Sequence, residues 1–381
     1  MRIIIKMSLE EYTTAGTKQR FMEGIAGNSY PQIVSVATAN PPKRFTQVEV
    51  IELFGTKDPK IVKLFKKSHI KGRYLFLPAP GDNGIIRNET NHELISKHLR
   101  GSIELGTEAT RKCLSKQGVD VSQIDHLICV TSTGLLLPGV SAHLVKHLKF
   151  RKDINRTDIV GMGCSAGVPS LRSAAQSAAI GGPGKKVLLL CIEISSAAYV
   201  SYETIQAAVV NSLFGDGAAA ILVETQKDPS RTPNGPHIIG FESRTLVDHM
   251  DLLRYDLFEN EEKKISLILS KELPYIIGNN IEDAVYGLLN KYGLKKRDIS
   301  HWVVHAGGRK VLESIKYNLG LSNHDIRHTI AVHEEYGNMS AGSVFFSFER
   351  LLKDNISKKG DLGVLIAMGP GLSIESALLM W

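Results

Sequence analysis

Two stretches of this chain, far apart, follow one plan. His126-Leu127-Ile128-Cys129-Val130 reads as a buried strand, and 38 residues separate His126 from Cys164; His301-Trp302-Val303-Val304-His305 reads as another, and 37 residues separate His301 from Asn338. Gly163-Cys164-Ser165-Ala166-Gly167 is matched by Gly337-Asn338-Met339-Ser340-Ala341-Gly342. Each leads into a helical pattern, a charged turn (181–186 and 358–361) and a further apolar strand, Val187 to Ile192 or Leu362 to Ala367. Such a repeat narrows the fold to two pseudo-duplicated halves packed about a twofold-like axis. Helices starting near Cys164 and near Asn338 would then both aim their N-termini at the centre. Cys164, His305 and Asn338 can meet there despite their separation in sequence.

A chain of 381 residues, 43% of them hydrophobic, exceeds the roughly 250 to 300 residues that one core usually fills, which agrees with two fused halves. We place them at 1–232, carrying Cys164, and 233–381, carrying His305 and Asn338. Strand patterns (Ile124 to Val130, Ile154 to Val160, Lys186 to Ile192, Ala218 to Val223) alternate with helical ones (Gly101 to Ser115, Ser165 to Ile180), predicting an α/β architecture. Residues 1–30 read as a polar arm with a short helix around Leu9 to Tyr12, ordered structure beginning at Ile33. The formal net charge of +7 is modest and its carriers are dispersed, except between Lys57 and Arg73, so nucleic acid is not an expected partner. Cys113, Cys129, Cys164 and Cys191 form no CxxC pair and no metal spacing; no metal is expected, and a reducing cytoplasm fits. The apolar run within Met1 to Lys6 is too short for a signal peptide, and none approaches the ~18 residues of a spanning helix.

Cys164 lies between a β-branched strand pattern and a small-residue helical one. A thiol at the first turn of a helix feels unpaired N–H groups and the positive dipole end, which predicts a lowered pKa. His305, in Val304-His305-Ala306-Gly307-Gly308, adds a proton-shuttling donor, and Asn338 adds a neutral one. A nucleophile with two donors is equipment for acyl transfer and for holding an enolate oxygen. Taken singly, each residue has a plainer reading: a packed thiol, a satisfied core histidine, a helix cap.

Gly161-Met162-Gly163-Cys164-Ser165-Ala166-Gly167, the run Leu213 to Ala220, His305-Ala306-Gly307-Gly308, the run Glu335 to Gly342 and the run Gly369 to Glu375 occur in an order and spacing that resemble the type III polyketide synthases, the chalcone synthase-like family of the thiolase superfamily. The resemblance covers the chain from about Val34 to its end. It implies a five-layered αβαβα thiolase fold, a homodimer, acyl-CoA and malonyl-CoA as substrates, and no cofactor beyond those CoA thioesters. It also implies that Cys164 carries the acyl chain while His305 and Asn338 hold the malonyl thioester oxygen during loss of carbon dioxide.

Other roles follow by position. Phe214 matches the aromatic gatekeeper between the CoA tunnel and the cavity, and Asp216 beside it reads as a turn residue. Lys60, Lys63 and Lys67 recur at i, i+3 and i+7 opposite Ile61, Leu64 and Phe65; they match the residues that hold CoA phosphates, with Gly307, Gly308 and, more remotely, Arg309 and Lys310 at the pantetheine entrance. Ser132, Thr133, Ser195 and Ser340 are polar cavity candidates. Leu267 and Ala198 stand where bulkier residues are usual, which predicts room for a medium or long aliphatic starter, at about 0.8 kcal/mol per buried methylene, and alkylpyrone, alkylresorcinol or acylphloroglucinol products. Phe258 stands where glycine is frequent, inside a segment, Asp251 to Lys264, read as looped. Gly369, Pro370 and Gly371 match the cyclisation loop, and Leu137 the loop that crosses to a dimer partner. Three rivals remain. An initiating 3-oxoacyl-ACP synthase III-like enzyme shares the Cys, His, Asn order but has Gln-Ala-Asn after its histidine; a hydroxymethylglutaryl-CoA synthase needs a carboxylate where Asn338 stands; a non-catalytic thiolase-fold scaffold needs no triad.

Overall fold

Nine strands form a continuous mixed sheet in the order β11-β12-β13-β8-β1-β7-β6-β4-β5. They are β1 (Pro31–Ala39), β4 (His126–Val130), β5 (Asn155–Ile159), β6 (Lys186–Glu193), β7 (Gly217–Thr225), β8 (His237–Thr245), β11 (His301–Val304), β12 (Leu362–Gly369) and β13 (Ser373–Met380). The remaining strands make two small antiparallel pairs, β2 (Arg44–Phe45) with β3 (Arg73–Tyr74) and β9 (Leu253–Leu257) with β10 (Ile265–Leu269). The computed structural model describes Phe21 and residues 30–199, 204–225, 235–257 and 265–381. The expected helix around Leu9 to Tyr12, Phe258 and the expected boundary at 232 lie outside the described residues.

The sheet is two half-sheets joined at a seam. β1 and β8 share only the pair Gln32 and His237, whereas β1 runs along β7, and β8 along β13, for nearly their full lengths. Two helices, Gly167–Gly181 and Ser343–Lys353, lie between the half-sheets. Val168, Leu171 and Ala174 of the first and Val344, Phe345 and Phe348 of the second pack with Leu189 and Ile221 on one side and Leu365 and Ala377 on the other. Alternate strand residues face outward: Leu188 and Leu190 meet Leu105 and Ala109 of the helix Asn91–Ser115, while Val364 and Ile366 meet Ile277 and Ile281 of the helix Leu273–Lys291. The five layers of the thiolase-like fold follow directly from this period-two burial on both faces.

The repeat is visible strand by strand. β4 and β11 open at His126 and His301, each parallel to its neighbour (β6 or β12), which runs antiparallel to the next (β7 or β13). It fails at one place: β5 precedes Cys164, but a helix, Arg327–Tyr336, precedes Asn338. Within the segment Asp251 to Lys264, Leu253–Leu257 departs from the looped reading by pairing with Ile265–Leu269, while 258–264 lie outside the described residues. The helix expected from Gly101 starts ten residues earlier, at Asn91, where Thr90 and Glu93 form a reciprocal capping box ahead of a polar first turn.

Several histidines are buried without charge. Neither ring nitrogen of His98 has a partner among the described residues, and burial lowers its pKa to about 4. Burial likewise lowers His328 to about 4 and His305 to about 3. An unfolded histidine titrates near 6.5, so below that pH the unfolded chain binds protons the folded one refuses. Stability is complete above about pH 6.5 and falls as pH drops towards 4. Thermal melts at pH 7, 6 and 5 should show a falling midpoint, with a shallower fall in His98→Leu; parallel curves would contradict this account.

Candidate active site

Cys164 sits in a 3-10 turn, Gly163–Ala166, immediately before the helix Gly167–Gly181. The loop between β12 and β13, from the other half, presses on that turn. Gly163 has φ +53°, and a Cβ there would lie 2.5 Å from Pro370 Cδ; a Cβ on Gly369 would strike the Ser165 backbone nitrogen. Ser373 Oγ donates to Ser165 Oγ at 3.0 Å across the same contact. Asn338 is anchored by backbone bonds, its N–H to Leu213 O and its carbonyl to Gly215 N–H, each at 2.9 Å. Its Oδ1 accepts from Ser340 N–H (2.8 Å) and Ser343 Oγ (3.3 Å), which fixes the amide and leaves Nδ2 as the donor facing Cys164. His305 follows β11, its N–H donating to Ile366 O at 2.8 Å.

These three side chains line one small space of about 30 Å³, together with Phe214, Gly307 and Gly369. That is room for about one water molecule. Cys164 and Phe214 also line a second, larger cavity of about 310 Å³. Phe214 therefore borders both the space shared by Cys164, His305 and Asn338 and the larger one. Its carbonyl accepts from Nη1 of Arg73 at 2.7 Å, and Arg73 is itself fully buried against Tyr199 and Gln47.

The electrostatics differ from the lowered thiol pKa that the helix-start position suggested. Burial pushes Cys164 up to about 11, against the lowering by hydrogen bonds from Ser340 and Asn338, and the Glu193 charge raises it further. Burial, with nearby His333, lowers His305 to about 3. Desolvation outweighs the dipole because Cys164 is only 8% exposed. The free site holds a neutral thiol beside a neutral imidazole.

The larger cavity gathers Ser132, Thr133, Ser195, Ala198, Leu267 and Ser340 with Pro370 and Gly371. Gly369 and Gly307 border the smaller one, while Gly308 lies outside both, opening the helix Arg309–Leu319 at φ +135°. Lys60, Lys63 and Lys67 are exposed on the helix Pro59–Lys67, whose opposite face buries Ile61 and Phe65 against the apolar cluster that contains Cys164 and Phe214. Arg309 turns to His69 and Glu313. Leu137 is fully exposed. Asp216 is no surface turn: it is fully buried and accepts from Ser196 N–H, Ser196 Oγ and Phe76 N–H.

Some residues in and behind the cavity wall escaped sequence reasoning. Glu193, fully buried, accepts from Ser132 N–H (2.9 Å) and Ser132 Oγ (3.1 Å), and burial raises its pKa to about 7. The signal was a lone carboxylate ending an apolar strand. Met250, Asp251, Arg254 and Tyr255 also line the cavity, and Tyr255 donates to the Ser132 carbonyl. Asp251, Arg254 and Tyr255 sit in the stretch that read as a loop. Among the described residues no cluster of His, Cys, Asp or Glu is placed to hold a metal ion.

A five-layered fold with cysteine, histidine and asparagine at the junction of its halves defines a thiolase-type condensing enzyme. The model of the N-terminal domain of chalcone and stilbene synthases matches residues 22–229, and that of their C-terminal domain matches 256–380. The chain belongs to the chalcone and stilbene synthase family and is a type III polyketide synthase, an acyltransferase that works on acyl-CoA and malonyl-CoA. It is similar to 3,5-dihydroxyphenylacetyl-CoA synthases of Streptomyces toyocaensis (43% identity, covering 92% of this chain and 90% of the relative) and Amycolatopsis balhimycina (42%, 92% and 93%). Among solved structures it resembles PKS-I of the brown alga Ectocarpus siliculosus, with TM-score 0.85, 28% identity and coverage of 92% of this chain and 98% of that one. Membership in this family sets aside the ketosynthase and scaffold alternatives.

Gly307 tests how tightly the histidine is held. A Cβ there would lie 3.0 Å from His305 Cδ2 and 3.2 Å from Nε2, so Gly307→Ala should displace the ring by a few tenths of an ångström. We expect kcat to fall roughly tenfold or more with the melting temperature nearly unchanged. Unaltered kcat would show that the ring position is not critical.

Proposed function

We propose that Cys164 takes an acyl group from a CoA thioester and that His305 and Asn338 hold the malonyl thioester oxygen as carbon dioxide leaves. Cys164 Sγ passes its proton to His305 Nε2, bonds to the acyl carbon and expels CoA. The malonyl carboxylate then departs as carbon dioxide, and its bonding pair forms an enolate whose oxygen is met by Nε2–H of His305 and Nδ2–H of Asn338. The enolate carbon attacks the thioester, and Sγ leaves as thiolate. The observation that carries this reading is the shared 30 Å³ space, to which both halves contribute. Phe214 at its border excludes water from the charged intermediates.

For the product, the reading is a small dihydroxyphenyl ring made from malonyl units. A 3,5-dihydroxyphenylacetyl skeleton divides into two-carbon units with oxygen on alternate carbons, as repeated malonyl extension provides. The cavity of about 310 Å³ sits at the low end of the roughly 300–1,000 Å³ of ligand pockets, which suits a compact chain. Glu193, held behind Ser132 and with its pKa near 7, can exchange a proton with that hydroxyl during ring closure. A second reading, an aliphatic starter giving an alkylpyrone, alkylresorcinol or acylphloroglucinol, draws on Ala198 and Leu267 in the same wall. Lys60, Lys63 and Lys67 are the proposed contacts to CoA phosphates, and fully exposed Leu137 supports the expected homodimer. Four free cysteines suit a cytoplasmic setting.

Mass spectrometry of products from malonyl-CoA, alone and with a ladder of acyl-CoA starters, decides between the readings. We expect a dihydroxyphenylacetyl product from malonyl-CoA alone; product formed only with an aliphatic starter would favour the second reading. Either way, Ala198→Phe or Leu267→Phe should shorten the products, since overpacking costs about 1 to 3 kcal/mol. An unchanged product distribution would contradict the cavity assignment. Charge reversal at the three lysines should raise KM for CoA thioesters but not for short pantetheine thioesters; equal effects would remove them from the CoA site.

A further inference from the structure

The helix Arg327–Tyr336 packs against β11, and Thr329 ties it to the end of that strand. Its Oγ1 accepts from Val304 N–H at 3.1 Å and donates to the Val304 carbonyl at 2.9 Å. His305 follows Val304 directly, and His333 lies one helical turn beyond Thr329 on the same face. His333 is 3% exposed, and its Nε2 donates to the Ser68 carbonyl at 3.1 Å. In a neutral ring that leaves Nδ1 as the unprotonated, accepting nitrogen. This Nδ1 has no hydrogen-bond partner among the described residues, and neither does Nδ1 of His305, which is 1% exposed. Two buried imidazoles at one joint each carry an unsatisfied nitrogen.

The chemistry asks for such a pair. A histidine that takes a proton from Cys164 at Nε2 must carry its own proton on Nδ1, and a buried Nδ1–H needs an acceptor. We propose that His333 is the positioning residue of the condensing site: its Nδ1 accepts Nδ1–H of His305 through one bridging water, and so presents a bare Nε2 to Cys164. The inference rests on the roles given above to Cys164 and His305. The proton balance is simple. Cys164 gives its proton to Nε2 on loading, and the expelled CoA thiolate takes one from solvent. The proton on Nε2 faces the enolate oxygen during decarboxylation and returns to Sγ when carbon–carbon bond formation expels the thiolate. In each charged state the His333 acceptor satisfies the imidazolium.

The surroundings keep His333 neutral and therefore able to accept. Burial lowers its pKa, as do His69, following the helix Pro59–Lys67, and Arg309, from the helix Arg309–Leu319; the Ser68 carbonyl and Glu334 on its own helix act the other way. Arg309 is paired with Glu313, and Glu334 with Lys71. His333 also lines a groove of about 250 Å³ with His69, Arg309, Glu313, Lys316 and Glu334, distinct from both cavities at Cys164.

Two substitutions separate positioning from structural support. His333→Gln sets an amide nitrogen where Nε2 stands, keeping the bond to Ser68 but removing the acceptor; His333→Asn offers an amide oxygen near Nδ1 and gives up the Ser68 bond. Iodoacetamide labelling of Cys164 at pH 7, mapped by mass spectrometry, and kcat for malonyl-CoA consumption are measured for both. We expect both rates to fall roughly tenfold in His333→Gln, with KM for malonyl-CoA unchanged, and to stay near wild type in His333→Asn. A wild-type-like His333→Gln, or an Asn variant as impaired as the Gln one, overturns the proposal. Labelling of wild-type protein away from Cys164 would overturn the nucleophile assignment and this inference with it.

Discussion

The contact between the β12–β13 loop and the turn carrying Cys164 holds this enzyme's chemistry together. The N-terminal half supplies the thiol and the C-terminal half supplies the imidazole and the amide, so neither half contains a site alone. Gly163 and Gly369 let two backbones approach where any side chain would separate them. Beneath that contact, Val168, Leu171, Val344 and Phe345 form the apolar layer that makes the arrangement rigid. Close packing transmits small displacements, so one added methyl at Gly307, against the His305 ring, bears on the geometry.

Burial then decides the electrostatic character of the site. A dipole and two hydrogen bonds favour a thiolate at Cys164, but exclusion from water costs more, and the thiol of the free site stays protonated. His305 is held neutral by the same cause. In the proposed mechanism the charges of the reaction are formed and consumed inside a space about one water molecule across, where each oriented donor is worth more than in solvent. Asn338 is suited to this setting because Ser340 and Ser343 fix its amide before any enolate exists.

Much of this was legible in the sequence where period and spacing carried it. The matched intervals from His126 to Cys164 and from His301 to Asn338 revealed the duplication, the alternation of strand and helix patterns revealed an α/β architecture, and the five layers came from the family resemblance. The thiol pKa was misread because a helix start is visible in a sequence while the depth of a cavity is not. Tyr255 and Arg254 were missed for a related reason: they join the cavity through the β9–β10 pair, whose polar residues hid its alternation. His333 stood beside the Tyr336-Gly337-Asn338 motif, yet only the docking of its helix on Val304 brings it to His305.

The central claim, that one buried site built from both halves runs decarboxylation and condensation as separable steps, is tested most directly in Cys164→Ala. Carbon dioxide release from malonyl-CoA and polyketide formation are followed together. The account predicts that carbon dioxide release continues above the uncatalysed rate, because His305 and Asn338 still receive the enolate oxygen, while polyketide formation stops. Polyketide formation at the wild-type rate in that variant would contradict it.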